Sequence, residues 1–442
     1  MLKQINGRED TSGACVLIGR AAFPEPFYDG LQYSPPARGT WNIVHTAMLV
    51  PESHQIYICA LGCLRGVVLT AAEMGAMNRF SSIAIEDHEL YDGTMEDTIV
   101  QAVGEIIDNL PAMPSVFFLY PSCVHHFMGC DMEALCGRLR QIYSQARFVL
   151  CWMDPIRRQS GLTAELRTRR QLYSLLQRQE IDRQSVNIVG SNLPIQADCE
   201  LAGLIENNGL TLRQLPCCRT YEEYEQMGAS FLNIGQEPLA KICLADMEKR
   251  LGQKSLYLSN SFDCDEIRRN LWAAADVLTV ARLDYTEAAA ACEAAFAETR
   301  AIVGAMPVAI DYAAVSRPFS LAKALLRQGF NVRRIYVDVC CAEDQDDFSW
   351  IQNHYPALEL YATRHAKMRR MDRHTAEPVL AIGQKAAYFT GTCHFVDMAE
   401  GGGLRDFAGL RRLLQWMVQA REQEKEAKAY ISIKGWGCPS CQ

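Results

Sequence analysis

Two cysteines stand where a chain could offer thiolates to a metal centre. Cys63 closes the stretch Ile56-Tyr57-Ile58-Cys59-Ala60-Leu61-Gly62-Cys63, and Leu64-Arg65-Gly66 follows. Cys123 comes after the apolar run Val116–Tyr120 and the dipeptide Pro121-Ser122. In each case a buried strand runs into a loop that precedes a helix. The first helix is expected from about Gly66, the second with Asp131 as its cap. Gly62 and Gly66 let the backbone approach a bulky group. A helix N-terminus also favours the thiolate over the thiol. Iron–sulfur clusters need thiolate ligands, and these two would come from the same end of one sheet. The competing reading is a pair of structural thiols, since free cysteine packs as a small hydrophobe. Cys59 could add a third sulfur; its alternative is a thiol in the strand core.

Other reactive side chains lie close by or at the far end. His125 and His126 follow Cys123 and could donate protons or hydrogen-bond to cluster sulfurs. Equally, they could be loop histidines at an interface. Cys438-Pro-Ser-Cys441 supplies half of a four-thiolate metal site. It could pair across a dimer, act as a redox dithiol, or be an idle tail. The basic run Arg364–Arg373 could meet an anion, although such runs are usually solvated faces. No Gly-x4-Gly-Lys-Ser/Thr phosphate loop, Gly-x-Ser-x-Gly elbow or His-Glu-x-x-His motif is present, so any use of ATP falls to a partner.

The elements that must position these residues alternate between two periods. Arg147–Trp152, Ser185–Gly190, Ala229–Gly235, Ser255–Leu258, Pro307–Asp311, Val332–Val339, Leu358–Ala362, Pro378–Gly383 and Ala386–Gly391 also read as buried strands. Between them lie amphipathic segments with helix start signals. Thr94 precedes an acidic first turn, Thr220 and Glu223 form a capping box, and Ser316 with Pro318 opens a helix that Gly329 ends. This alternation predicts an α/β fold of mostly parallel, doubly wound sheets. The strands are too many for one sheet, and 442 residues exceed one core. The expected units are 1–180, with the cysteine loops, 181–301, which includes a linking helix at 286–301, and 302–420. A charged helix and the CxxC tail occupy 421–442.

Composition narrows the class. The net charge of −8 argues against a nucleic-acid partner. No run of 18 apolar residues could cross a bilayer, and the first ten residues lack a signal peptide's apolar core. The eighteen cysteines are scattered through strand-like segments rather than spaced as a disulfide scaffold. A reducing, cytoplasmic setting without disulfides is the expectation.

The same segments carry a family resemblance. Ser34-Pro-Pro-Ala-Arg-Gly-Thr-Trp41, Ala60–Gly66, and Pro121-Ser-Cys123 with Gly129-Cys-Asp131 resemble the N-terminal part of nitrogenase component 1 proteins. A weaker similarity extends over about 25–420. The resemblance implies three Rossmann-like domains and pairing as a homodimer or with a component 1-like paralogue. It implies electrons from an ATP-hydrolysing iron protein and an iron–sulfur cluster, expected as [4Fe-4S], near the subunit contact. Family ligands come from three cysteine positions per subunit. Cys63 matches the second and Cys123 the third. Tyr33 fills the first slot, where Cys59 or Cys15 could substitute. A contact formed by the Tyr33, Cys63 and Cys123 loops would let a second subunit complete the ligand set.

Two further family positions bear on substrate. The middle-domain cysteine that holds nitrogenase's large cofactor falls at Leu232-Asn-Ile-Gly235-Gln236-Glu237, which has no thiol. Cys243 lies on the next helix and reads as core. Near the last-domain histidine slot stand Cys393 and His394, which makes His394 a third catalytic candidate beside His125 and His126. Dinitrogen is therefore not the expected substrate, and the interdomain site could take another metallocofactor or a tetrapyrrole. The resemblance leaves three roles open: a reductase component, a cofactor-assembly scaffold, or a non-catalytic partner subunit.

Overall fold

The computed structural model describes residues 13–27, 33, 35, 43–153, 164–338, 340–371, 373, 377–426 and 429–430. Among these residues the strands form three sheets of four, four and six members. The first runs in the order Phe80–Ala84, Ser53–Cys59, Val116–Pro121, Arg147–Leu150, all parallel. Its two faces follow the period of two along a strand. Ile56, Ile58, Phe117 and Leu119 point into one apolar cluster, beneath the helices Met95–Asn109 and Met132–Ile142. Tyr57, Cys59, Phe118 and Tyr120 point into another. That second cluster also takes Leu244 and Met247 from the helix Ala240–Leu251, and so cements the first sheet to the second. The Tyr57 and Tyr120 rings stack at 4.5 Å within it. Burying each such ring contributes about 2–3 kcal/mol.

The second sheet repeats the order: Thr211–Gln214, Asp182–Val189, Ser230–Gly235, Lys254–Tyr257, again all parallel. The third runs Glu359–Tyr361, Val332–Tyr336, Val308–Asp311, Leu380–Ile382, Phe395–Val396 in parallel. The helix Thr286–Val303 links second to third and packs on the helix Asp406–Glu422. We keep 1–180, 181–301 and 302–420 as the proposed division, with one segment crossing it. The strand Cys15–Leu17 lies antiparallel on Glu359–Tyr361, at the edge of the third sheet. Ile18 N–H donates to Leu358 O at 2.8 Å, and Phe23 packs on Phe348.

The second and third units meet through two helix N-termini. Asp406 Oδ2 accepts from the Leu201 N–H at 2.9 Å, and Glu200 Oε2 accepts from the Ala408 N–H at 3.1 Å. Each helix thus offers an acidic first-turn side chain to the other's unpaired N–H groups.

Three local expectations are corrected. Ala386–Gly391 is not a strand but the end of the helix Gln384–Thr390, closed by Gly391 at φ +65°. A short apolar run buried on every side carries no period, so strand and helix read alike. The helix after Cys59 begins at Leu61, not near Gly66, so Cys63 sits in its first turn. The Thr220 box is half made: Thr220 caps the Glu223 N–H, but the Glu223 carboxylate accepts from the Arg219 N–H instead.

Candidate functional site

In open parallel sheets, ligands gather at the carboxyl edge where the strand order reverses. The first sheet reverses between Ser53–Cys59 and Val116–Pro121, and both cysteine loops leave from there. Each strand passes almost directly into a helix: Leu61–Glu73 after Cys59, and the single turn Cys123–Phe127 after Ser122. The Ser122 N–H donates to Ile58 O at 3.1 Å, which ties the two departures together. Cys63 is exposed and Cys123 half-buried. Cys59 is fully buried among aromatic side chains. Burial, with a smaller push from the nearby sulfurs of Cys63 and Cys123, raises its thiol to about 12. The three cysteines are therefore neighbours, with Cys59 the packed member.

The histidines serve the Cys123 turn. His125 is buried, and its Nδ1 lies 3.2 Å from both the N and the O of Ser122. Burial holds its pKa below the usual histidine value, so the ring is neutral. Its Nε2 has no hydrogen-bond partner among the described residues. His126 stacks on Trp152 at 3.9 Å. Beside the thiols two large apolar side chains are exposed, Leu61 at 72% and Phe127 at 75%. Two thiols at the N-termini of adjacent turns, an orphaned imidazole nitrogen and an apolar rim fit half of an iron–sulfur ligand set. A cubane, with four iron sites, would need its remaining ligands from elsewhere.

Tyr33 is held by the third unit. Its N–H donates to Arg364 O at 2.6 Å, and its hydroxyl lies 3.3 Å from that of Tyr388. Burial and the Tyr388 contact push the phenol up to about 12, so it stays protonated. Cys15 is in the edge strand of the same sheet, and burial raises its pKa. His394 precedes the strand Phe395–Val396, at the amino edge of the third sheet and opposite the carboxyl-edge crevice. Cys243 is buried core, as expected. Cys438 and Cys441 lie outside the described residues.

The other two reversal points carry groups that the sequence reading missed. In the third sheet the order reverses between Val308–Asp311 and Leu380–Ile382. There Asp311 Oδ1 accepts from the Ala313 N–H and Oδ2 from the Lys385 N–H, both at 2.8 Å. Lys385, only 4% exposed, donates through Nζ to Tyr312 Oη at 2.9 Å and Thr363 Oγ1 at 3.3 Å. Thr363 donates to Asp338, which also pairs with Arg364 at 3.3 Å. Burial pushes Asp311 up to about 6 against the pull of Lys385, and lowers Lys385 against the pull of Asp311 and Asp338. Gly383 lets the chain pass beneath: at φ +104°, a Cβ would stand 2.7 Å from the Cβ atoms of Asp311 and Ala314. The signal was a strand ending in Asp and another ending in Gly-x-Lys.

At the middle sheet's reversal point, Glu237 pairs with the buried guanidinium of Arg405 from the third unit. Asn192 Nδ2 donates to Glu400 at 3.2 Å. Gln236 Oε1, Asn192 Oδ1 and Arg405 Nε are buried without hydrogen-bond partners among the described residues. Unpaired buried polar atoms are costly, and their grouping marks a crevice suited to water or a polar ligand.

Comparison with known proteins agrees with this architecture. The family model for nitrogenase component 1 type oxidoreductase matches residues 48–392. The solved structure of nitrogenase Cp1 at pH 6.5 superposes with a TM-score of 0.69 at 12% identity, covering 89% of this chain and 94% of that one. The structure of nitrogenase Cp1 at pH 5 gives 0.63 at 12% identity, covering 93% and 94%. A search of curated proteins finds no match. The chain belongs to the nitrogenase component 1 type oxidoreductase family. Members of that family bind iron–sulfur clusters, work with an iron protein and form oligomers. No helix among the described residues is long and apolar enough to cross a membrane.

Proposed function

We propose that this chain is a reductase component whose Cys63 and Cys123 form half of the ligand set for an iron–sulfur cluster of the [4Fe-4S] type. A second copy or a component 1-like paralogue would supply the other half. The observation that carries the reading is the meeting of both thiols at the first sheet's reversal point, inside an exposed apolar rim of Leu61 and Phe127. When bound, the cluster relays single low-potential electrons, here from an ATP-hydrolysing iron protein. The chain's own part is to present two thiolates at helix starts, to keep His125 neutral behind them, and to bury the cluster against a partner.

The substrate is not dinitrogen in this reading. The middle-domain segment Leu232–Glu237 offers no thiol, and Glu237 pairs with Arg405 in the crevice. The polar lining there favours a polar organic substrate or a tetrapyrrole propionate over an apolar one. The cytoplasm is the proposed compartment, and the sixteen described cysteines are all free. Anaerobic purification followed by iron and acid-labile sulfide analysis and EPR tests the proposal. Wild-type protein should carry a chromophore that Cys63→Ala and Cys123→Ala each remove. Iron-free wild type, alone and with its partner, overturns it. A second reading, an assembly scaffold, draws on the exposure of Cys63; transfer of its cluster to an acceptor protein would favour that role.

A further inference from the structure

At the opposite edge of the third sheet, three side chains of metal-ligand type converge away from any cluster loop. Cys393, His394 and Glu424 each bring one ligand atom within 4.8 Å of the others. They come from two segments that the backbone pins together. The Lys425 N–H donates to Cys393 O at 2.8 Å, and His394 O accepts from the Ala381 N–H at 3.0 Å. The His394 N–H is held by Thr392 Oγ1 at 3.1 Å. Glu424 therefore cannot drift far from the Cys-His pair.

A backbone bond holds the histidine ring in one tautomer. His394 Nδ1 lies 3.0 Å from the carbonyl oxygen of Ala420, near the end of the helix Asp406–Glu422. A carbonyl only accepts, so Nδ1 carries the proton and Nε2 keeps its lone pair. Metal-bound histidines are oriented by this kind of bond through their other nitrogen. The neighbouring Lys425 ammonium is turned onto the Phe395 ring, 5.4 Å from its centroid.

We propose that Cys393, His394 and Glu424 bind a zinc-class dication. One thiolate, one imidazole and one carboxylate suit a borderline-soft ion and exclude magnesium or calcium, which take oxygen ligands. Around tetrahedral zinc the ligand atoms stand about 3.3–3.8 Å apart. Glu424, exposed beyond its helix, can swing to close the site to that geometry. Water takes the fourth position. A metal here would lock the chain just after the helix Asp406–Glu422 to the edge strand of the third sheet.

Cobalt titration of the metal-free full chain tests this, because thiolate-bound cobalt shows a near-ultraviolet charge-transfer band. One saturable equivalent is expected, displaced by zinc and untouched by magnesium. Cys393→Ser should remove that band, and His394→Ala or Glu424→Gln should weaken binding, the histidine change on the order of 100-fold. A Cys63→Ala/Cys123→Ala background should keep the band, as should Cys438→Ser/Cys441→Ser. The melting curve of metal-free Cys393→Ser should match that of metal-free wild type, which separates lost ligation from lost folding. A band that survives Cys393→Ser, or one that disappears with Cys438 and Cys441 alone, overturns the proposal.

Discussion

Replacing Asp406 by Asn should stabilise the protein at pH 8 and leave it unchanged or slightly less stable at pH 4.5. Asp406 is buried between the second and third units, where its Oδ2 takes the Leu201 N–H. Burial pushes its carboxyl up to about 7; the Leu201 bond opposes this and the nearby Glu200 charge adds to it. In the unfolded chain the same group titrates near the ordinary value of 3.8. Between those values the folded protein holds the proton more tightly than the unfolded one. The contribution to stability is therefore complete below about 4 and is lost as pH rises to about 7. At about 1.4 kcal/mol per pH unit, ionising Asp406 in place costs about 4 kcal/mol at most. Asparagine keeps the acceptor for Leu201, tolerates the φ of +57° at this position and carries no charge. Its amide needs a new acceptor, so part of the gain is returned, leaving about 1–3 kcal/mol. For a cooperative unit of domain size this raises the thermal midpoint by about 3–8 °C at pH 8. Scanning calorimetry of both proteins at pH 4.5 and pH 8 measures it. An equal change at the two pH values, or a destabilisation at pH 8, refutes the reasoning.

Three further outcomes are expected. Glu237→Gln strips the counterion from the buried Arg405 guanidinium and should cost about 3 kcal/mol or more, seen in urea unfolding; adding Arg405→Met should recover part of it. If the double variant is worse than the single, the unpaired charge is not the cause. Phe127→Glu puts a charge in the apolar rim and should weaken subunit association about tenfold or more in sedimentation, with the melting of the isolated subunit unchanged; unaltered association would move the contact elsewhere. Tyr33→Phe loses the Tyr388 hydrogen bond, about 1 kcal/mol or less, and should leave iron content as in wild type; iron lost with the hydroxyl would make Tyr33 a ligand.

What could be read from the sequence was what is local. Val116–Tyr120 is a continuous apolar run broken by Pro-Ser, so both the strand and the cysteine at its end were legible. The Asp131 cap was legible too, since its side chain accepts from Ala134 three residues on. The third sheet's site was not. Lys385 after Gly-Gln looks like a surface residue, and only the pairing of Val308–Asp311 with Leu380–Ile382 brings it onto Asp311, 74 positions earlier. The contact of Tyr33 was hidden in the same way. Its partner is Tyr388, 355 positions away, and neighbouring residues carry no trace of that contact. The position of His394 turned on which end of a two-residue strand it occupies. A strand so short gives no period from which to read direction.

The early strand Cys15–Leu17 has a consequence for synthesis on the ribosome. Its partner, Glu359–Tyr361, is translated more than three hundred residues later. At about 5–20 residues per second, the arm waits roughly 15–70 s with its backbone amides unpaired. When Glu359–Tyr361 finally emerges, it is the outermost parallel strand of its sheet, an open edge able to template a neighbouring chain. The returning arm covers that edge, and the close fit of Gly19 under Pro356 seals it. This early strand thus closes the sheet made last, and a chain released without that arm would expose an adhesive border.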